Sequence, residues 1–395
     1  MSDALPGPYW RLWWSSAVDT VGDGAIAAAV PLLAATTTSD PRLVALVSAA
    51  TYLPWLLLSL PAGAAVDRYD RVALMWRAQA FRAVVVGVVA VLAALGRAGI
   101  PVLAAMAFAL GAAEVVFGTA AQAVLPELVP ARLLPRANGT QYTVTTVGRL
   151  FLGPPAGSLL FPIAVALPFG LDAVSFALSA ALLGTLPRGP RRTAGRPSIR
   201  AGLRHLLGHR LLRTLALLLG VNTFCFQLGT VTLVLLATRT LHLDARGYGL
   251  LLAGGAVGSV VGGLVNARVV ARIGALPALV VALAANVPVF AGIGLSPDAV
   301  VLGTLLALNG FLTTLWNVVT VSLRQALVPA GLLGRVTSVY RLLGWGLIPV
   351  GAVAGGLVAH RFGLRAPYPV AGALRGLALA VALPVLVSAL RAGDQ

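Results

Sequence analysis

Six ionisable side chains stand inside stretches that are otherwise apolar: Asp19, Asp23, Glu114 and Asp172, with Arg149 and Arg375. A charge at the centre of a membrane helix costs roughly 2.5–3.5 kcal/mol on insertion scales, so those that persist mark a pathway or pair with one another. Asp19 and Asp23 are four residues apart and share one helical face. A carboxyl group in a low-dielectric span can load and release a proton near neutral pH. The chemistry these residues suit is therefore proton exchange at Asp23, with Asp19 or Glu114. Arg149, by approaching and withdrawing, would gate it. Asp172 reads either as a structural cap or as a partner of the same set. Arg82 and Arg341 read as lying nearer span ends.

A second set is polar but carries one charge only: Asn222, Gln227, Asn309, Trp316 and Asn317, with Arg375. Amides and an indole can orient an amphipathic or aromatic ligand by hydrogen bonds and stacking. They serve equally well as glue between helices. Other chemistry is not encoded. No phosphate-binding loop or nucleophile–base pair is present, so no catalytic residue is expected, and a gradient rather than ATP is the implied energy source. Cys225 is the only cysteine, which excludes an internal disulfide and zinc sites built on Cys pairs. His205, His209, His242 and His360 share no ligand spacing, so neither a metal nor a cofactor is expected.

The elements that carry these residues must be membrane helices. The 395 residues are 58% hydrophobic and 10% charged, with a mean hydropathy of +0.92. That leaves too little polar surface for a water-soluble globule, in which about 25% of residues are charged. Twelve apolar stretches recur, from 11–35 to 368–390, each long enough for a span of roughly 20 residues. The third is expected over 73–95 and the fifth over 139–161. The first lacks a basic leader and a cleavage site, so it is expected to be retained.

Net charge is +17, and every basic residue is Arg. In so apolar a chain this is the pattern of cytoplasmic loops rather than of a nucleic-acid binder. The densest run, Arg188 to Arg213, lacks the interleaved aromatics that stack on bases. The Arg bias predicts both termini on the cytoplasmic side. Within the run, IRAGLRHLLGHR is expected to form a short helix on the membrane, with Leu203, Leu206 and Leu207 facing lipid.

The chain also repeats. LVPARLLPR at 128–136 recurs as LVPAGLLGR at 327–335, an offset of 327 − 128 = 199. At that offset Gly63 maps to Gly262, Asp67 to Asn266 and Asp23 to Asn222. Two six-span halves follow, 1–186 and 212–395, joined by a basic linker over 187–211. Tandem halves of this kind imply a substrate path at their interface.

Gly63 to Arg71 reads G-A-A-V-D-R-Y-D-R. It resembles the G-x-x-x-D-R-x-x-R signature of the major facilitator superfamily, in the loop where that family carries it. Gly22–Asp23 and L-P-E-L-V-P…R-A-N, Leu125 to Asn138, resemble the enterobactin-exporter and macrolide or multidrug efflux branch. Gly153-Pro154-Pro155-Ala156-Gly157 resembles the antiporter motif of exporters. The resemblance implies an all-α fold of 12 transmembrane helices in two six-helix halves. It also implies conformational-switch roles for Gly63, Asp67, Arg68, Arg71, Gly153, Pro154 and Gly157. Gly63 would let the loop pass close to a neighbouring helix, and Asp67 would latch onto the start of the eleventh span near Val336–Ser338. Asp70 stands where the family has Gly, and Ala107 where its fourth-span motif has Arg.

The function so implied is a secondary active transporter of the bacterial cytoplasmic membrane, exporting a hydrophobic or amphipathic small molecule in exchange for protons. Its partners would be that substrate, protons and the lipid bilayer, with no nucleic acid, and it would act as a monomer. The alternatives are a transporter of the same fold with another direction or cargo, such as nutrient uptake or lysophospholipid movement, and a membrane protein that transports nothing.

Overall fold

The computed structural model describes residues 5–187 and 199–393. No described residue is in a strand. In hydrocarbon every backbone N–H and C=O must find its partner within the protein, and an apolar chain meets that demand by winding into helices. Among the described residues, eleven helices are long and apolar enough to cross a membrane.

The first unit comprises Met1–Ser39, Ala50–Gly195 and Asp244–Gly249. Its helices are α1 (Gly7–Thr37), most of α2 (Pro41–Arg68), α3 (Arg71–Ala94) and α4 (Ile100–Leu128). Then come α5 (Leu134–Thr146), α6 (Gly153–Leu160) and α7 (Ala166–Gly184). Asp70, placed where the superfamily signature has Gly, caps α3 by accepting from the Ala73 N–H at 2.6 Å. Gly96, at φ 69°, turns the chain just past the end of that helix.

The fifth span is broken. Between α5 and α6, Val147–Leu152 is wound as a π-helix. Pro154 and Pro155 follow it and have no N–H, so the carbonyls of Leu150 and Phe151 lose their α-helical donors and the winding there loosens. This break is why the expected 139–161 span is absent from the eleven long helices. α1 packs against α5, the π-helical turn, α6 and α7, and α3 packs against α4 and α7. Tyr9, fully buried, donates from Oη to the carbonyl of Ala137, tying α1 to α5 at 3.0 Å.

The second unit comprises Asp40–Ala49, Arg196–Leu243 and Leu250–Gln395. It holds the start of α2 and α8 (Ile199–Gly208), α9 (Arg210–Leu235) and most of α10 (Ala245–Ile273). α11 (Ala275–Leu295), α12 (Ala299–Leu327), α13 (Ala330–Phe362) and α14 (Pro367–Gly393) complete it. α9 packs against α13 and α14, and α11 against α12 and α14. Here Tyr340 on α13 donates to the carbonyl of Leu212 on α9 at 2.7 Å. The same pair of helices is tied as in the first unit, with the tyrosine on the opposite member.

The predicted short helix is α8. Leu203 and Leu207 are exposed on it, but Leu206 is 2% exposed because α8 packs on α13 and α9. Only two of the three expected leucines face outward. Gly63 also differs from expectation. It lies inside α2 rather than in a loop, and a Cβ there would meet nothing within 4 Å.

Candidate functional site

The charges of the first unit converge into one network. Asp19 and Asp23 come from α1, Gln79 and Arg82 from α3, Glu114 from α4, Arg149 from the π-helical turn, and Asp172 and Ser179 from α7. The centre is Arg82, 4% exposed and deep within α3 rather than near its end. Its Nη2 donates to Asp23 Oδ1 at 2.6 Å, and its Nη1 donates to Glu114 Oε2 at 2.9 Å and Gln79 Oε1 at 3.1 Å. Its guanidinium lies over the Phe176 ring, 3.9 Å from the centroid. Arg149 donates from Nη2 to the other oxygen of Asp23 at 2.5 Å and approaches Glu114 Oε1 at 3.9 Å. Asp23 is thus held between two cations.

Asp19 has a different environment. It is 3% exposed, and its Oδ2 accepts from Gln79 Nε2 and, at 3.1 Å, from Ser179 Oγ. Both donors are neutral. Asp172 is not a cap: α7 begins six residues earlier at Ala166, and Val165 stands at the N-cap without a side-chain bond. Asp172 is fully buried, accepts from Ser175 Oγ at 3.2 Å, and its Oδ2 has no hydrogen-bond partner. Gly22 sits against it so closely that a Cβ would overlap Oδ1. The cluster therefore holds four carboxyl groups and two guanidiniums, with Asp23 and Glu114 alone ion-paired. With all six ionised the cluster carries −2, and up to two protons are needed to neutralise it. Such a surplus in a low-dielectric site suits proton uptake and release.

Arg149 reaches the cluster because two backbones nearly touch. A Cβ on Gly153 would overlap Gly24 Cα, and one on Gly157 would overlap the Ala25 carbonyl. Gly24 in turn has the Arg149 carbonyl 2.7 Å from where its own Cβ would be. The Gly153–Pro154–Gly157 motif is thus a close-packed crossing with α1 and carries the π-helical turn on its edge.

The other switch residues are placed differently. Arg71 donates to Glu127 Oε1 at 2.6 Å and to the Ala123 carbonyl at 3.2 Å, joining α3 to α4. Arg68 lies over the Tyr69 ring, 5.9 Å from its centroid. The side chains of Asp67, Ser338 and Arg341 lie outside the described residues.

In the second unit a cavity of about 190 Å³ is lined by Asn222, Thr223, Phe226, Asn286, Trp316, Asn317 and Arg375, among others. Four of the six expected path residues are here. Gln227 is not: its Nε2 donates to Ser48 Oγ at 2.7 Å. Asn309 is also off the wall, buried behind Asn286, whose Nδ2 donates to it at 3.4 Å. Arg375 is 7% exposed. It donates from Nη1 to Asn286 Oδ1 and from Nη2 to the Asn222 carbonyl at 3.1 Å, and it stacks 3.9 Å from the Phe290 centroid. Gln79, Ser179 and Asn286 escaped the sequence reading, because a lone neutral polar residue in an apolar helix gives no sign of its partner. Among the described residues no group of three or more His, Cys, Asp or Glu side chains is placed to hold a metal ion.

The profile of the transmembrane secretion effector family matches residues 7–395. The chain is similar to the multidrug efflux pump Tap of Mycobacterium tuberculosis, at 28% identity over 99% of this chain and 94% of that one. Among solved structures it is similar to a bacterial homologue of the iron transporter ferroportin in an inward-facing state. That match has a TM-score of 0.78 and 18% identity, covering 96% of this chain and 98% of the other. A nucleoside transporter, NupG, matches with a TM-score of 0.74 and 12% identity, covering 97% and 99%.

Proposed function

Because the chain belongs to the transmembrane secretion effector family of the major facilitator superfamily, and is a membrane transporter of small molecules rather than an enzyme, we propose that it is a proton-coupled exporter. Its cargo is a hydrophobic or amphipathic small molecule, moved by alternating access of two halves, 1–186 and 212–395, linked through 187–211. It sits in a bacterial cytoplasmic membrane with both termini inside, and works as a monomer. Efflux activity in a relative of 28% identity supports export.

The observation that carries the coupling is the excess of four carboxyl groups over two guanidiniums in the first unit. The residues divide the work. Asp23 and Glu114 form the ion-paired frame with Arg82 and Arg149. Asp19, held only by neutral donors, exchanges the proton, because its protonation breaks no ion pair. The cavity around Asn222, Trp316, Asn317 and Arg375 holds the cargo.

Asp19→Asn keeps an oxygen acceptor for Gln79 and Ser179 and removes the titratable group. In everted vesicles loaded with a proton gradient, naphthylacetate accumulation by Asp19→Asn should fall to the level seen when nigericin collapses the gradient. Downhill naphthylacetate equilibration should persist. Accumulation at the wild-type rate would move the coupling proton away from Asp19.

A further inference from the structure

Arg375 is a buried cation with no ion pair among the described residues of its own unit. Between Ile199 and Gly393 the only acids are Asp244 and Asp298, and both stand at helix starts. Asp244 Oδ1 accepts from the Gly247 N–H at 2.7 Å, and Asp298 Oδ1 accepts from the N–H groups of Val300 and Val301 at 2.9 Å. Asp40, the remaining described acid of the second unit, pairs with Arg42 at 2.8 Å. Arg375 has instead an amide oxygen, a backbone carbonyl, the Cys225 thiol and a ring face, and its Nε has no hydrogen-bond partner. An ion taken out of water needs an opposite charge to offset its desolvation.

The first unit shows what such a site looks like when it is complete. Arg82 on α3 lies 3.9 Å from the Phe176 ring on α7, as Arg375 on α14 lies 3.9 Å from the Phe290 ring on α11. At the repeat offset, 375 − 199 = 176: the cation of one unit occupies the place of the ring in the other. The stacked pair has exchanged helices, though only Arg375 and Phe176 match in register, since 82 + 199 = 281 is Val281 rather than Phe290. What differs is charge, because Arg82 also holds Asp23 and Glu114. Their positions plus 199 are Asn222 and Thr313, both on the wall of the cavity and both neutral. Ring and amide packing is thus present twice, and the carboxylates are missing once, where the cavity opens beside the guanidinium.

We propose that this cavity binds an anionic oxygen group of the cargo at Arg375, the amphipathic remainder lying against Phe226 and Trp316. The inference rests on the cavity being the cargo site, and it narrows the cargo to molecules bearing a carboxylate, phosphate or sulfonate. Charge-assisted hydrogen bonds to a buried guanidinium are the strong class, and a neutral isostere forfeits most of that gain.

The test uses the full chain in nanodiscs of phosphatidylcholine, with radiolabelled naphthylacetate and its neutral amide as probes. Wild type should bind the carboxylate about tenfold or more tightly than the amide. Arg375→Gln should abolish the preference, and Arg375→Lys should keep part of it. Should Arg375→Gln fail to fold, Asn222→Asp leaves Arg375 in place and supplies an internal carboxylate. That variant should cut naphthylacetate binding while sparing the amide. Equal binding of the two probes by wild type overturns the anion site and leaves the cargo cavity standing. Binding of neither overturns both. A preference that survives Arg375→Gln or Asn222→Asp also overturns the proposal. Loss of naphthylacetate binding in phosphatidylglycerol discs alone upholds the anion site and identifies a lipid headgroup as its competing occupant.

Discussion

At the scale of single residues, the two arginines of the first unit differ in what their removal leaves behind. Arg82 is 4% exposed and serves two carboxylates, whereas the Arg149 side chain is 46% exposed and serves chiefly one. Breaking a buried pair by deleting one partner costs about 3–5 kcal/mol, since the other charge stays buried. Arg82→Gln should therefore lower the melting temperature of the purified protein sharply. Arg149→Gln should lower it much less, since Asp23 keeps its bond to Arg82. Equal shifts would remove Arg82 from the centre of the network. Much of this cluster was legible in the sequence, because Asp19, Asp23, Glu114 and Arg149 are conspicuous in apolar surroundings. The depth of Arg82 was not. Hydropathy averages over a window and does not say which helix face a residue occupies. The distinction between Asp19 and Asp23 was also hidden, for it depends on partners 59 to 160 positions away.

At the scale of the helix, two glycines singled out by their motifs have opposite surroundings. Gly63 faces open space and Gly157 faces the backbone of α1. Gly63→Ala should leave thermal stability unchanged or raise it by up to ~1 kcal/mol through helix propensity. Gly157→Ala forces two packed backbones apart, at a cost of about 1–3 kcal/mol, readable as a lower melting temperature in detergent. Opposite signs for the two variants are the expected outcome, and a loss at Gly63 would show that α2 has a close neighbour there. The Gly-Pro-Pro sequence of the fifth span removes two backbone donors, but does not fix the form the helix takes. Whether a helix answers missing donors by kinking or by a π-turn depends on what lies beside it. Here that is the bare backbone at Gly24, in a helix more than a hundred residues earlier.

Across the whole molecule the Arg distribution makes a single claim about sidedness. In a Cys225→Ala background, cysteines placed at Ala194 and at Asp244 should react with impermeant maleimide from opposite sides, inside and outside respectively. The reverse labelling would invert the orientation and with it the direction of transport. The all-α fold and the eleven long apolar helices among the described residues were readable because hydropathy is a property of the chain itself. The exchange of cation and ring between α3–α7 and α11–α14 was not, since a repeat alignment shows it only as a mismatch. The first-unit cluster also bears on how the protein is made. Ribosomes deliver its charges in order: Asp19 and Asp23, then Arg82, then Glu114, and only later Arg149 and Asp172. When α4 leaves the translocon, three carboxylates share one guanidinium, and the second arrives with the broken fifth span. Early helices of the nascent chain therefore keep that imbalance until Val147–Leu152 is synthesised. A translation pause or truncation in that interval exposes unpaired charge in lipid, and quality-control proteolysis would act there first.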